Sequence, residues 1–194
     1  MTQKFLALRK ALLDREYESL NGPQREAVYA CDCPLLILAG AGSGKTTVLV
    51  NKLGYLIKYG SAYHSTEVPE HLTADDLDYL EGALNDPSRR NEERYRNLIA
   101  VDPMDPYNLL AITFTNKAAE EMKERLGRMI NTSGMWVCTI HSMCVRILRD
   151  FASSVGIQPN FSIYSETERN NIVKKSFQEC GFEEEKLLKN AKWH

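Results

Sequence analysis

The chain has 194 residues and a formal net charge of −2, with 43% hydrophobic and 26% charged residues. These values are ordinary for a soluble globular domain. They exclude a protein that is basic over its whole surface and coats nucleic acid, although a local basic groove is compatible with them. No apolar run approaches the roughly 20 residues of a membrane span, and the N-terminal residues are too rich in charge for a secretory signal. The five cysteines are an odd number, which favours free thiols in the cytoplasm over a disulfide framework.

The first sixty residues predict three helices and one strand. Apolar residues at helical spacing predict an amphipathic helix over 4–19, and a second helix begins at Pro23, where a missing N–H group costs nothing. Residues 35–39 are wholly apolar, which is typical of a strand buried on both faces of a parallel sheet. A third helix is predicted over 45–59, with Gly60 as its C-terminal stop.

Residues 61–106 differ from the rest of the chain in charge. They hold eleven acidic and four basic residues, a net charge of −7, so the remaining 148 residues carry +5. Thr73 predicts a helix N-cap, with two aspartates in the following turn, and Leu72 and Leu77 have the spacing of a hydrophobic staple. We therefore predict an inserted pair of short helices rather than a disordered linker.

A regular alternation follows the insertion. Residues 109–114 and 135–140 predict two further strands, and each precedes a predicted helix, over 117–130 and over 142–153. Such an alternation predicts an α/β fold with a parallel sheet and helices on both faces. Ser165 and Glu168 form a predicted capping box, so a final helix begins there.

Residues 39–46 read AGAGSGKT and form a phosphate-binding loop between a predicted strand and a predicted helix, which is the context that this motif requires. Its glycines let backbone N–H groups point at phosphate oxygens, and the helix N-terminus adds positive potential. Lys45 is expected to reach the β and γ phosphates of a nucleoside triphosphate, and the Thr46 hydroxyl to bind Mg²⁺. Ala39 stands where the strict pattern has glycine. A glycine-rich turn with an incidental lysine is the alternative interpretation. The expected nucleotide contacts of the loop are Ala39, Gly40, Ala41, Gly42, Ser43, Gly44, Lys45 and Thr46.

Three more motifs accompany the loop, over 20–28, 110–119 and 139–149. In this order, the four motifs resemble the N-terminal part of the UvrD/PcrA/Rep helicases of superfamily 1. The resemblance covers about 18–58 and 107–164. It implies a P-loop NTPase fold of the RecA-like type.

The resemblance also implies a domain organisation. The first 19 residues would be an N-terminal helix, and residues 20–164 a RecA-like motor domain that carries the helical insertion at about 61–106. Residues 165–194 would then begin a helical accessory subdomain.

On the nucleotide side, the resemblance implies that Gln24 reads adenine. A side-chain amide can donate and accept a hydrogen bond at the same time, which suits this base. The alternative is local, because Asn21 and Gln24 also have the spacing of a helix cap. Thr47 stands where many family members have an arginine near the base and sugar, so such a contact is in doubt here.

On the nucleic-acid side, the resemblance implies that Phe114 stacks on a base of single-stranded DNA, an interaction worth ~1–3 kcal/mol per base. A core aromatic residue at a strand end is the alternative. The residues implied to contact DNA are Thr113, Phe114, Thr115, Asn116, Thr139, His141 and Ser142. Ligands bind at the carboxyl ends of strands in open α/β sheets, so we expect ATP at the first strand and DNA across the next two.

The resemblance implies an ATP-dependent DNA helicase that uses ATP and Mg²⁺, translocates 3′ to 5′ on single-stranded DNA and unwinds duplex junctions in repair or replication. The family's Asp-Glu pair, which binds Mg²⁺ and activates water, has no match here. No apolar strand after Thr139 ends in Asp-Glu, and residues 183–185 follow Gly-Phe rather than a strand. We therefore expect the parent protein to be longer, and this chain to hydrolyse ATP very poorly.

Three alternatives stay open at this point. Within the superfamily, a helicase–nuclease subunit of the RecB/AddA type has a similar phosphate loop. A stand-alone P-loop phosphotransferase could use the insertion over 61–106 as a lid. A non-catalytic docking module could use the same acidic insertion as its binding surface.

Overall fold

The computed structural model describes residues 1–181, and this part of the chain is rich in helix. None of the described helices is both long and apolar enough to cross a membrane. The elements are α1 (Thr2–Glu16), α2 (Gly22–Tyr29), α3 (Lys45–Tyr59), α4 (Ala74–Asn85), α5 (Glu93–Ile99), β1 (Leu110–Thr113), α6 (Asn116–Gly127), β2 (Trp136–Thr139), α7 (Ile140–Asp150) and α8 (Glu166–Glu179).

The chain divides into two compact units, Met1–Ser142 and a second one that begins at Met143. The sequence places a boundary later, between residues 164 and 165. The acidic triplet at 183–185 and the end of the expected accessory subdomain lie outside the described residues. The capping box that begins α8 is confirmed, because the side chains of Ser165 and Glu168 each accept the other residue's backbone N–H.

The sheet consists of β1 and β2, which pair in parallel from Leu110 opposite Trp136 to Thr113 opposite Thr139. α6 connects the two strands and packs on both of them. A parallel pair needs such a crossover, because its strands cannot be joined by a tight turn. The predicted strands over 109–114 and 135–140 and the parallel arrangement are therefore confirmed.

The strand predicted over residues 35–39 is not formed in the described part of the chain. The side chains of Leu36 and Leu38 are 80% and 86% exposed, so this run is not buried on both faces either. A strand exists only through hydrogen bonds to a neighbouring strand. Since β1 pairs with β2 and the described residues supply no third strand, the apolar run has no ladder to join.

The main hydrophobic core joins the insertion to the N-terminal helices. Phe5 and Leu12 of α1 are fully buried together with Leu80 of α4 and with Tyr95 and Ile99 of α5. α1 packs directly on α4. The predicted pair of short helices is confirmed, but the insertion is part of the core of the first unit and not a peripheral lid.

The N-terminus of α4 explains why the insertion is helical. The Thr73 side chain accepts a hydrogen bond from the Asp76 backbone N–H, and the Asp76 carboxylate accepts one from Thr73 in return. This capping box satisfies two donors that the first turn of a helix leaves without partners. Leu77 and Leu80 then lie on the buried face of α4.

Arg9 of α1 anchors the beginning of the insertion. Its side chain is 1% exposed and donates hydrogen bonds to the backbone carbonyl oxygens of Ser65 and of Glu67, the latter at 2.9 Å. The guanidinium also lies 5.3 Å from the centre of the Phe5 ring. A buried charge of this kind is tolerated only with hydrogen-bond partners, so Arg9 couples α1 to the segment that enters the insertion.

A second, smaller core lies between α3, α6 and β2, and it fixes the helix after the phosphate loop against the helix that connects the strands. Both helices begin at candidate functional segments. The packing therefore holds these segments within one compact unit. The buried members of this core are Val50, Ala119, Met122, Leu126, Met135 and Val137.

Candidate nucleotide and nucleic-acid site

The phosphate loop turns directly into α3. Gly42 and Gly44 have φ angles of +75° and +83°, and Gly44 is the N-cap residue of α3. Only glycine takes this left-handed conformation without cost, so both positions require it. Gly44 is half-buried, and the other loop residues are open to solvent: Ala39, Gly40, Ala41, Gly42, Ser43, Lys45, Thr46 and Thr47.

Lys45 folds over the loop that precedes it. Its ammonium nitrogen Nζ lies 2.9 Å from the carbonyl oxygen of Ala39 and 2.6 Å from that of Gly40. The Ser43 hydroxyl also donates to Gly40, at 2.7 Å. The lysine is exposed, not packed in the interior. A mobile positive charge therefore lies beside the N-terminus of a 15-residue helix. The charge and the helix N-terminus both favour the binding of an anion at this loop.

Thr46 is exposed on the first turn of α3, beside Lys45. A hydroxyl at this position can supply one ligand to a Mg²⁺ ion that also keeps water and phosphate oxygens as ligands. Residues 1–181 contain no cluster of three or more His, Cys, Asp or Glu side chains that could hold a metal by itself. The Thr46 hydroxyl therefore fits one ligand position of a Mg²⁺ that arrives with a nucleotide.

Gln24 connects α2 to the phosphate loop. Its Oε1 atom accepts a hydrogen bond from the Asn21 backbone N–H at 3.1 Å, and its Nε2 atom donates to the carbonyl oxygen of Ser43 at 3.1 Å. Asn21 in turn accepts the Gln24 backbone N–H at 3.0 Å, which completes a capping box. The local interpretation of Gln24 is therefore correct, and the same contacts place its amide at the nucleotide loop.

The tips of the two strands lie side by side, because Thr113 and Thr139 are register partners at the carboxyl ends of β1 and β2. Phe114, the next residue, has a fully exposed ring. The alternative of a core aromatic residue is therefore wrong. Thr115 caps α6 by accepting the Ala118 N–H at 3.2 Å, and the exposed Asn116 begins that helix.

The tip of β2 differs from the expectation at one residue. Thr139 is only 7% exposed, and its hydroxyl bonds to the Ser142 hydroxyl at 2.9 Å and accepts the Ser142 N–H at 3.3 Å. The hydroxyl thus caps the start of α7 and is not presented to a DNA backbone. His141 and Ser142 are exposed on the first turn of α7.

The sequence reasoning missed Lys52. Its half-buried ammonium donates to the carbonyl oxygens of Ala27, Val28 and Ala30 at the end of α2, the first at 3.0 Å. Burial lowers the pKa of Lys52. The available signal was positional, since Lys52 follows Val48 by one helical turn on the buried face of α3. A lysine inside an apolar stripe needs acceptors nearby.

Comparison with known proteins identifies the relatives of this chain. A family model described as "UvrD/REP helicase N-terminal domain" matches residues 20–68 and 92–193. The ATP-dependent DNA helicase PcrA of Staphylococcus aureus is 38% identical over 157 residues, which are 80% of this chain and 16% of that protein. PcrA of Staphylococcus epidermidis is 37% identical over 159 residues, which are 81% of this chain and 16% of that protein.

Two consequences follow from the extent of these matches. The chain spans about one sixth of the length of the curated relatives that it matches. The family match leaves out residues 69–91, which contain α4, and the N-terminal segment that contains α1. The two helices that pack on each other, α1 and α4, thus lie outside the matched ranges. The matched part carries the P-loop NTPase fold, and the chain belongs to the UvrD/REP helicase N-terminal domain family.

Proposed function

We propose that this chain is the N-terminal, ATP-binding part of an ATP-dependent DNA helicase, which moves 3′ to 5′ along single-stranded DNA and opens duplex junctions during repair or replication. One observation carries the proposal. The first compact unit combines an exposed phosphate loop at the start of α3 with the fully exposed Phe114 ring at the tip of β1. This arrangement puts a nucleotide site and an unpaired-strand site in one compact unit, as a DNA motor requires.

The nucleotide side follows from the loop geometry. Backbone N–H groups of residues 40–46 hold the phosphates of ATP, and Lys45 exchanges its carbonyl partners for phosphate oxygens. The Thr46 hydroxyl supplies one ligand to the Mg²⁺, which offsets the phosphate charge when bound. Gln24 contacts adenine through the amide hydrogen-bonding capacity that its present contacts leave free. Thr47, exposed where an arginine is frequent in the family, leaves the sugar without a cationic contact.

The DNA side uses two helix N-termini that meet at one sheet edge. Phe114 stacks on a base, while the exposed first turns of α6 and α7 hold phosphates with their N–H groups. Asn116, His141 and Ser142 add side-chain donors to the backbone. Thr113 and Thr115 shape the turn between β1 and α6, since the Thr113 hydroxyl donates to the Thr115 carbonyl oxygen at 3.0 Å.

For residues 20–164 we propose the RecA-like arrangement, with an accessory helical subdomain from 165 onward. The exposed side chains of Leu35, Leu36 and Leu38 support this arrangement, because exposed apolar patches mark interaction surfaces. Positioning and charge stabilisation dominate phosphoryl transfer. The sequence has no apolar strand that ends in Asp-Glu after Thr139, so we expect this chain to bind ATP and turn it over very slowly.

Binding and turnover measurements test the proposal together. The chain is titrated with a fluorescent ATP analogue in the presence of Mg²⁺, and with a fluorescent oligonucleotide at low salt. We expect saturable binding of both, with DNA affinity that falls steeply as salt rises. Small phosphoryl acceptors are included in a parallel turnover assay. Transfer to such an acceptor, or ATP binding without any affinity for single-stranded DNA, would instead support the stand-alone phosphotransferase.

A further inference from the structure

The orientation of the Gln24 amide is fixed by its two partners. Its oxygen accepts from a backbone N–H, that of Asn21, and its nitrogen donates to a backbone carbonyl, that of Ser43. Neither backbone group can exchange its role, so a flipped amide would lose both hydrogen bonds. The amide keeps one acceptor lone pair and one N–H for a ligand.

This orientation carries information about the base. Adenine presents an amine donor beside the N7 acceptor, whereas guanine presents the O6 acceptor beside N7. A fixed acceptor–donor pair on Gln24 matches the donor–acceptor pattern of adenine. With guanine, the free lone pair of the Gln24 oxygen would face the O6 acceptor, which disfavours this base. The discrimination depends on a constant position of α2 relative to the loop.

The other end of α2 is held by Lys52. α2 has only eight residues, about 12 Å of helix, and its last turn contains no basic residue. The last carbonyl groups of a helix need donors and favour a positive charge. Lys52 of α3 supplies both, because its three N–H donors meet the carbonyl oxygens of Ala27, Val28 and Ala30.

We propose that Lys52 is a positioning residue for nucleotide recognition: it clamps the C-terminal end of α2 onto α3, so that Gln24 at the opposite end stays in register with the phosphate loop. This inference rests on the proposed function, since it assigns Gln24 to the base. The N-terminal end of α2 is then attached to the phosphate loop through Ser43, and its C-terminal end is attached to α3 through Lys52. Loss of either attachment lets the short helix shift.

The experiment compares ATP, GTP and inorganic tripolyphosphate as ligands of the 194-residue chain. In Lys52→Met we expect the preference for the ATP analogue over the GTP analogue to fall by about three- to tenfold, the value of one hydrogen bond. Tripolyphosphate contacts the loop alone, so its affinity should not change. Lys52→Arg keeps the cation and should restore the preference.

Lys58→Met is the matched control. Lys58 is a half-buried lysine on the same helix, but its ammonium pairs with Glu16 of α1 at 3.4 Å. The Lys58→Met variant should lose some stability and keep the preference for the ATP analogue over the GTP analogue. Thermal unfolding verifies that each variant folds, and Lys52→Gln replaces Lys52→Met if the latter does not.

The outcomes separate the two ideas. A wild-type chain that binds neither ATP nor GTP contradicts the proposed function itself. A wild-type chain that prefers ATP, combined with a Lys52 variant that keeps this preference, overturns only the role of Lys52. An equal loss of affinity for ATP and for tripolyphosphate in that variant also overturns it, because it would place Lys52 in the phosphate site.

Discussion

The ammonium nitrogen of Lys45 lies 2.6 Å from the carbonyl oxygen of Gly40. The lysine that we expect to bind phosphate therefore donates hydrogen bonds to carbonyl oxygens of the phosphate loop in this structure. A carbonyl oxygen carries only a partial charge, whereas a phosphate oxygen shares a full one, so phosphate is the stronger partner. The contact keeps the side chain over the loop without burying it.

Lys45→Ala should weaken binding of the ATP analogue by roughly 10- to 150-fold, the range for hydrogen bonds to a charged group. The thermal unfolding midpoint should change little, since the side chain is exposed and its ammonium donates to carbonyl oxygens of the loop itself. Lys123→Ala, an exposed lysine on α6, serves as the control and should bind normally. Unchanged nucleotide affinity in Lys45→Ala would contradict the phosphate-loop assignment.

Phe114→Ala should reduce affinity for a single-stranded oligonucleotide at low salt by about 1–3 kcal/mol per stacked base, roughly 5- to 150-fold. The ring is fully exposed, so the free energy of unfolding should stay within about 0.5 kcal/mol of the wild-type value. Fluorescence anisotropy of a labelled oligonucleotide measures the effect. Phe114→Trp should retain binding and Phe114→Leu should not, because stacking requires an aromatic face. Equal binding by all three variants would exclude stacking.

Arg9→Met should destabilise the first unit by about 2–4 kcal/mol, because the carbonyl groups of Ser65 and Glu67 lose their buried donors. Urea unfolding followed by circular dichroism measures the change. Gln3→Met alters an exposed residue of α1 and should stay within about 0.5 kcal/mol of the wild type. Equal stability of both variants would show that α1 and the insertion are not coupled through this guanidinium.

Stability in acid should depend on Asp76. Hydrogen bonds from the Thr73 hydroxyl, the Arg94 guanidinium and the Thr73 N–H lower the pKa of Asp76 from 3.8 to about 2. The folded state therefore binds this proton more weakly than the unfolded state. The stabilisation is complete above about pH 4 and is lost as the pH falls from there toward 2.

Asp76→Asn should flatten this part of the acid dependence, which is measured as the urea midpoint at several pH values between 2 and 5. The variant should also be less stable than the wild type at neutral pH, since the charged cap is gone. Asp78→Asn removes an exposed carboxylate from the same helix and should keep the wild-type slope. If the slopes of the wild type and Asp76→Asn coincide, the cap does not control acid stability.

Local patterns predicted most elements well. α3 runs from Lys45 to Tyr59 as expected, and the caps at Thr73 and Ser165 begin α4 and α8. Caps and helical stripes involve residues three or four apart, so the sequence contains both partners of each interaction. The glycine conformations in the phosphate loop are also indicated locally, by the motif itself. The candidate nucleotide site was therefore readable from the chain.

Interactions between distant residues were not readable in this way. The run at 35–39 has the composition of a buried strand, but only a partner strand can make it one. Likewise, nothing near Lys52 in the sequence indicates that the end of α2 lies within reach of its ammonium. A threonine at the end of a strand can contact a DNA backbone through its hydroxyl. The Thr139 hydroxyl is instead hydrogen-bonded to the Ser142 hydroxyl in the same turn.

The sequence alone determined the phosphate loop, the main helices, the two strands that form the sheet and the resemblance to a helicase family, because each depends on neighbouring residues or on short motifs. Only the tertiary structure decided that the acidic insertion is core, that Phe114 is exposed, and that α2 is fastened at both ends. Those outcomes depend on which surfaces meet after the chain has folded. Burial and hydrogen bonding between segments about 20 to 60 residues apart have no local signature.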